Sequence, residues 1–200
     1  MKKVLLFIFS FIISSSVYAQ EVVADNYSSS TERSVMENKR AIKEYSAFLA
    51  AHPKDAAAYS NRAETYLELK NYKEAIADYN LTIKYNPTDI DAFYNRGVAK
   101  IVIGDFNGAL ADMAKVIKAK PQDADAYFNR AVAKMNMYNA KAAIQDFNIV
   151  LKIDENYMEA YYYRGLMKLE TQETESACQD WQKAAAYDSR ASKMLKKHCN

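Results

Sequence analysis

The sequence is poor in the residues on which most catalytic sites depend. Its 200 residues include two histidines, two cysteines, four glycines and three prolines. The motifs H-E-x-x-H and G-x-S-x-G and a glycine-rich phosphate loop are absent, and His52 and His198 both fall at predicted helix ends. The cysteines do not form a C-x-x-C pair, which argues against a dithiol redox enzyme. We therefore expect no enzyme activity, no cofactor and no bound metal.

An excess of charge of either sign is also missing. The formal net charge of +2 comes from Lys2 and Lys3, and the rest of the chain has 25 basic and 25 acidic residues. Proteins that bind nucleic acid present a basic surface. We therefore do not expect a nucleic-acid partner.

The first 19 residues have the pattern of a secretory signal peptide. Lys2 and Lys3 precede an apolar run over residues 4–13, and small and polar residues lead to Ala19. The alternative is an uncleaved anchor, but a run of about ten residues is well short of the roughly 20 that span a bilayer. No second apolar span follows. We predict cleavage before Gln20 and a periplasmic or secreted protein.

Export bears on the two cysteines, because an even count in an exported protein favours a disulfide. Cys178 opens a predicted helix, and Cys199 closes the next one, which begins near Ser189. If the chain reverses near Asp188, the two cysteines lie at similar distances from the turn and face each other. We predict a Cys178–Cys199 bond, and the alternative is two thiols with unrelated roles.

What the sequence does contain is an internal repeat. Four arginines are spaced 34, 34 and 34 residues apart: Arg62, Arg96, Arg130 and Arg164. A fixed period in this range is typical of a solenoid. The predicted organisation is a signal peptide at 1–19, a flexible lead-in at 20–33, one helix at 34–55, four two-helix units at 56–89, 90–123, 124–157 and 158–190, and a capping helix with its tail at 191–200.

Three further positions recur in each unit. They are an aromatic residue (Tyr59, Phe93, Tyr127, Tyr161), a small residue (Ala63, Gly97, Ala131, Gly165) and an alanine (Ala75, Ala109, Ala143, Ala177). The pattern resembles the tetratricopeptide repeat over residues 56–190. The resemblance implies an all-α, right-handed superhelical solenoid of antiparallel helix pairs. It also implies that the helix at 34–55 is the second half of a fifth repeat, because Ala41 and Pro53 keep the spacing.

An aspartate follows each repeated arginine by 16 residues. In a helical hairpin these two positions face each other, and partly buried charges need such partners. We therefore predict four structural ion pairs: Arg62–Asp78, Arg96–Asp112, Arg130–Asp146 and Arg164–Asp180. The alternative is a row of arginines that bind a ligand.

In proteins with this repeat the first helices line a concave groove, and the resemblance carries that role to particular residues here. The corresponding side chains are Asn61, Asn95, Asn129 and Tyr163 in one row, Tyr94, Phe128 and Tyr162 beside it, and Val98, Val132, Leu166, Ile101, Met135 and Leu169 beyond. An amide presents a donor and an acceptor side by side, so the asparagine row would suit the backbone of an extended peptide.

We predict a non-catalytic scaffold that binds an extended or helical peptide segment of a partner protein. Asp91, Asp125 and Glu159 line one edge, which would favour neutral or basic segments. Two alternatives stay open. The asparagines can simply face water while the apolar row packs between helices, or the same face can serve self-association or assembly of an envelope complex.

Some relatives use the groove as a clamp for the acidic C-terminal tails of chaperones, and that function is not expected here. The clamp needs lysine and arginine. Its places are taken by Ser60, Glu64, Asn95, Asp125 and Asn129.

Overall fold

The computed structural model describes residues 34–199, and these residues form ten α-helices and no strand. The first helix, α1, covers residues 34–51. The others are α2 Ala56–Glu68, α3 Tyr72–Tyr85, α4 Ile90–Val102, α5 Phe106–Ala119, α6 Ala124–Asn136, α7 Ala140–Ile153, α8 Met158–Glu170, α9 Thr174–Ala184 and α10 Ser189–His198. The predicted all-α solenoid of antiparallel helix pairs is confirmed. The predicted signal peptide and lead-in lie outside the described residues.

Aspartates start three of the four first helices. The side chains of Asp55, Asp89 and Asp123 each accept a hydrogen bond from the backbone N–H three residues later, at 2.8, 2.9 and 2.9 Å. Such a cap satisfies an amide that the helix leaves without an internal partner, and it is worth about 1 kcal/mol. The 34-residue period of these caps therefore marks where the first three units begin.

The turn inside each unit requires one residue in the left-handed backbone region. Lys70, Gly104, Tyr138 and Gln172 have φ of 59°, 84°, 56° and 67°. After each of them the next amide bonds back to a carbonyl five residues earlier, at 2.8–3.0 Å, as in a Schellman motif. Only the second unit uses glycine there, although glycine takes this conformation with the least strain.

The core extends along the whole array. It lies between the two helices of each unit, and between each unit and the next. The repeated alanine and the residue four positions after it are inaccessible to solvent in all four units. The latter residues are Tyr79, Met113, Phe147 and Trp181. Leu49 attaches α1 to this core, beside Ala58 and Tyr59.

The end of the chain departs from strict periodicity. The second helix of the fourth unit, α9, has 11 residues, whereas α3, α5 and α7 have 14. Consequently α10 already begins at Ser189, and the predicted boundary at 191 falls inside it. Cys178, expected to open a helix, instead lies in the middle of α9. Over residues 34–199, no helix is both long enough and apolar enough to cross a bilayer.

Candidate functional site

Each repeated arginine grips the aspartate of its own unit with two parallel hydrogen bonds. Arg62 reaches Asp78 at 2.6 and 2.7 Å, and the other three pairs have the same two-pronged geometry at 2.5–3.0 Å. The four aspartate side chains are 3–5% exposed. Hydrogen bonding to Asp78 and to Asp146 raises the pKa of Arg62 and of Arg130.

A lysine joins the pair in three of the units. Lys100, Lys134 and Lys168 contact the same carboxylates at 2.9, 2.7 and 2.9 Å. In the first unit the corresponding place holds Tyr66, so Asp78 depends on Arg62 alone. This difference makes the first ion pair the one with least compensation if its arginine is lost.

The arginines also connect neighbouring units, which sequence reasoning missed. In three units the remaining guanidinium nitrogen, Nη1, donates a hydrogen bond to the second helix of the preceding unit. Arg62 donates to Ser46 at 2.9 Å, Arg96 to Asn80 at 2.7 Å and Arg164 to Asn148 at 2.8 Å. The acceptors keep the 34-residue spacing, with Ala114 breaking the series. That spacing was a usable signal.

The same guanidiniums lie over the repeated aromatic rings. Their carbon atoms are 5.1–5.7 Å from the ring centroids of Tyr59, Phe93, Tyr127 and Tyr161. This is the range of a cation–π contact. The arginines are therefore held inside the framework on several sides and do not form an open row for a ligand.

The asparagine row differs from one unit to the next. Asn61 is exposed, whereas Asn95 and Asn129 are half-buried. The amide nitrogen of Asn129 donates to the Tyr94 hydroxyl at 3.1 Å and to the Asp125 carbonyl at 2.9 Å. Burial raises the pKa of Tyr94, which stays a neutral acceptor. Asn129 thus fastens α6 to α4 through its donor and keeps its own carbonyl oxygen for another group.

Phe128 and Tyr162 of the aromatic row contact other aromatic rings, mostly of their own unit. Phe128 stacks on Tyr157 with centroids 5.0 Å apart, and meets the ring edges of Phe147 at 5.6 Å and Tyr163 at 5.9 Å. Tyr162 lies 5.1 Å from Tyr163 and beneath the guanidinium of Arg190, at 4.4 Å. These contacts hold the aromatic rings of the first helices in place.

The aliphatic row is half-buried in every unit that has it. Its members are Val98, Ile101, Val132, Met135, Leu166 and Leu169. Partial exposure on neighbouring first helices leaves a shallow apolar strip along the inner face. An apolar strip that the fold does not fully cover is the usual mark of a contact surface.

The acidic edge is partly neutralised within the chain. The Asp91 carboxylate accepts a hydrogen bond from Lys120 at 2.8 Å, and the Asp125 carboxylate accepts one from the Tyr157 hydroxyl at 2.8 Å. Glu159 lies 3.5 Å from Arg190. Burial, and then the bond to Asp125, raise the pKa of Tyr157. A cavity of about 230 Å³ opens here, lined by Asp91, Tyr94, Val116, Lys120, Asp123 and Asp125.

A second apolar strip lies at the hairpin turns of the two central units. Val102, Ile103, Met137 and Tyr138 are 53%, 43%, 40% and 89% exposed. Sequence reasoning missed it, although the sequence distinguishes the second unit from the outer ones. In the first and fourth units, Glu68 and Glu170 occupy the position that Val102 occupies in the second unit. We call these four residues the turn strip.

The two cysteines are joined at the C-terminal end. Cys178 on α9 and Cys199, which follows α10, form a disulfide with their Cα atoms 5.8 Å apart. The cations near this end have partners or a structural place. Arg190 pairs with Asp188 at 2.7 Å, and Lys196, Lys197 and His198 lie in the last turn of α10, where they complement the helix dipole.

Two models of the tetratricopeptide repeat match the chain, over residues 56–89 and 94–157. No curated protein matches it. Among solved structures, YrrB, described as a TPR protein with an unusual peptide-binding site, has a TM-score of 0.73 and 23% identity, over 82% of this chain and 86% of that chain. MamA from Desulfovibrio magneticus RS-1 has a TM-score of 0.70 and 16% identity, over 82% and 88%. The first TPR of Spaghetti (RPAP3), bound to the HSP90 peptide SRMEEVD, has 0.56 and 21%, over 58% and 93%.

At these identities the solved structures report on the fold, and the repeat models report on the family. Proteins of this family are interaction scaffolds that generally have no catalytic function, and the helix pairs described above give this chain the same architecture. The chain belongs to the tetratricopeptide repeat family.

Proposed function

We propose that this chain is an exported, non-catalytic scaffold that binds a neutral or basic peptide segment of a partner protein along the inner face of its first helices. The observation that carries the proposal is the half-buried apolar strip beside the asparagine row. It lies on a framework whose buried carboxylates are already paired. The framework therefore leaves none of these carboxylates for a ligand, and the strip is what remains to be covered.

The peptide backbone would be held by the amides. The exposed Asn61 and the half-buried Asn95 each offer a donor and an acceptor, and Asn129 offers its carbonyl oxygen. Apolar side chains of the peptide would contact the aliphatic row and continue onto the turn strip. Because that strip belongs to the two central units, we expect the strongest contacts at α4 and α6.

Charge would select the segment. The 230 Å³ cavity has three carboxylates and one lysine, so it suits a lysine or arginine side chain. The acidic peptide bound by Spaghetti is a poor model for the ligand, because Glu64 and Asp125 stand where a clamp for acidic tails needs cations.

The test is a set of immobilised peptides that differ only in charge. The mature chain should bind lysine-containing peptides at least tenfold more tightly than glutamate-containing ones. Asn95→Ala and the double variant Asp91→Asn/Asp125→Asn should each weaken binding, whereas Gln145→Ala, an exposed amide on the second helix α7, should leave it unchanged. Equal binding by all three variants would remove the inner face as the site.

Export is the second part of the proposal. The signal-like residues 1–19 and the pairing of Cys178 with Cys199 support it, because disulfides persist in oxidising compartments. The exported chain should begin at Gln20 and should resist thiol labelling until it is reduced. A full-length cytosolic chain with two reactive thiols would contradict it. Light scattering on the same sample distinguishes a monomer from a self-associating scaffold.

A further inference from the structure

Among the described residues 34–199, helix α1 is a second helix that no first helix precedes. Its residues precede their counterparts in α3 by 34 positions, in the same register as the rest of the array. In the four complete units, one face of the second helix packs against the first helix of its own unit. The residues of that face in α1 are Ala41, Glu44, Tyr45 and Phe48.

Within residues 34–199, these four residues are more exposed than their counterparts. Phe48 is 45% exposed, and the residues at its place in the four units are 0–1% exposed. The Glu44 side chain is 70% exposed, against 3–5% for the paired aspartates. Ala41 and Tyr45 are half-buried, and their counterparts are inaccessible. A cavity of about 460 Å³ opens along this face, with Ala57, Ala58 and Asn61 of α2 on its other side.

We infer that the uncovered face of α1 binds an amphipathic α-helix of a partner protein, with an arginine opposite Glu44 and a glycine or alanine opposite Tyr45. The chemistry follows from the complete units, where the acid at this place takes a bidentate arginine. The residue after that arginine is small because a large side chain faces it: a methyl group added to Gly165 would come within 2.5 Å of the Trp181 ring nitrogen. Arginine also suits paired recognition of a carboxylate better than lysine does.

Glu44 is available for such a partner. Its ion-pair partner among residues 34–199 is Arg40, one turn away on the same helix, at 3.5 Å, with both side chains at least 70% exposed. Exposed ion pairs of this kind contribute little to stability. Exchanging Arg40 for an arginine on an incoming helix would therefore cost little, and the covered Phe48 would add apolar burial.

The stretch one period before α2 lacks the arginine that a matching helix would need. Counting back by one period from Arg62 and Ala63 leads to Ser28 and Ser29. A serine at the arginine place gives no cation for Glu44. The charge of the uncovered face therefore points to a helix of another protein.

The experiment uses a helical peptide whose sequence already packs against such a face in a complete unit. The peptide is residues 90–102 of α4, stapled to keep it helical and labelled for fluorescence anisotropy. It carries Arg96 followed by Gly97. The mature chain should bind this peptide. Glu44→Arg and Phe48→Ser should each weaken binding at least tenfold. A peptide with Arg96→Glu should fail on the wild-type chain and recover on the Glu44→Arg variant.

The matched control is Glu74→Arg, which reverses an exposed acid in the first turn of α3, outside the uncovered face and the groove, and should leave the peptide affinity unchanged. The inference is overturned if the peptide does not bind, if Glu44→Arg has no effect, or if Glu74→Arg weakens binding as much. It is also overturned if Phe48→Ser dissolves a dimer of this chain, which would assign the face to a second copy. A more than tenfold gain in affinity on deleting residues 20–33 would assign it to the chain's own N-terminal segment.

Discussion

The two ends of the helical array are finished differently. At the C-terminal end α10 covers α9, and Trp181, Ala184 and Ala191 are completely buried in a cluster to which α8, α9 and α10 all contribute. The Cys178–Cys199 bond then ties the two helices together. At the other described end, α1 leaves Tyr45 and Phe48 beside an open cavity. In a repeat array each unit contacts only its neighbours, so stability is a sum of local terms.

The difference between the two ends predicts which end of the array unfolds locally first. Three apolar side chains of α9 are completely buried, those of Ala177, Trp181 and Ala184, whereas Leu49 alone is buried in α1, and a covalent bond adds to the closed end. Local opening free energies follow buried contacts. We therefore expect amide exchange in α1 to be faster than in α9 and α10. An end that opens easily is also one that can accept a foreign helix.

The largest expected effect that tests this comparison is at Trp181. Replacing it with alanine removes a completely buried ring and leaves the Tyr162 carbonyl without the 3.1 Å bond from the indole nitrogen. We expect a loss of about 3–5 kcal/mol in the free energy of unfolding. Tyr45→Ala at the open end should cost about 1 kcal/mol, because its ring is only half-buried. Urea unfolding of both variants measures this; equal losses would refute the asymmetry.

The next effect is that of the disulfide. The variant Cys178→Ser/Cys199→Ser opens a loop closed by a bond across 21 positions, which the loop-entropy model values at about 3 kcal/mol. Amide exchange should accelerate in α10 and α9 and stay unchanged in α1. Acceleration at both ends would mean that the array unfolds as one unit and that the two ends do not differ locally.

The architecture was predictable because identical chemistry recurs at one spacing. Each Arg–Asp pair was visible because both members return every 34 residues and remain 16 apart. The contact from Arg96 to Asn80 was less visible, because its acceptor belongs to the preceding unit and changes between serine, asparagine and alanine. The shortened α9 was not visible, because no proline or glycine marks its end.

The candidate site was only partly predictable, because exposure depends on the neighbouring unit. Phe128 and Val98 look equivalent as groove residues in the sequence. In the structure Phe128 stacks on Tyr157, from the end of its own unit, and makes an edge contact with Tyr163 of the next, whereas Val98 packs against the cluster of Met113, Val116 and Ala126. The spacing identified the face, but the size of each neighbouring side chain decides which residues stay open. The binding role of these residues stays a prediction.

A smaller effect compares two glycines at the same place in the repeat. A methyl group at Gly165 would lie 2.5–2.9 Å from three atoms of the rigid Trp181 ring, whereas at Gly97 its closest contact is the flexible end of Met113, at 2.6 Å. Gly165→Ala should therefore cost about 1–3 kcal/mol through overpacking. Gly97→Ala should cost less than 1 kcal/mol, because alanine is the better helix former. Thermal unfolding of the two variants checks the order, and a larger loss for Gly97→Ala would contradict the packing account.

The smallest effect is a gain, at the hairpin turns. Lys70 and Gln172 occupy the left-handed conformation, with φ of 59° and 67°, and both are exposed. Glycine relieves a cost of about 1 kcal/mol at such positions, although it also raises the entropy of the unfolded chain. We expect each glycine variant to gain up to about 0.5–1 kcal/mol locally.

If the open end unfolds first, Lys70→Gly should slow amide exchange in α2 and α3, whereas Gln172→Gly should slow it only in α8 and α9. The Gly104→Ala variant, in the turn that already has glycine, should lose stability by a similar amount. Identical exchange changes at both ends would show that opening is global and that the distinction between the ends has no energetic consequence.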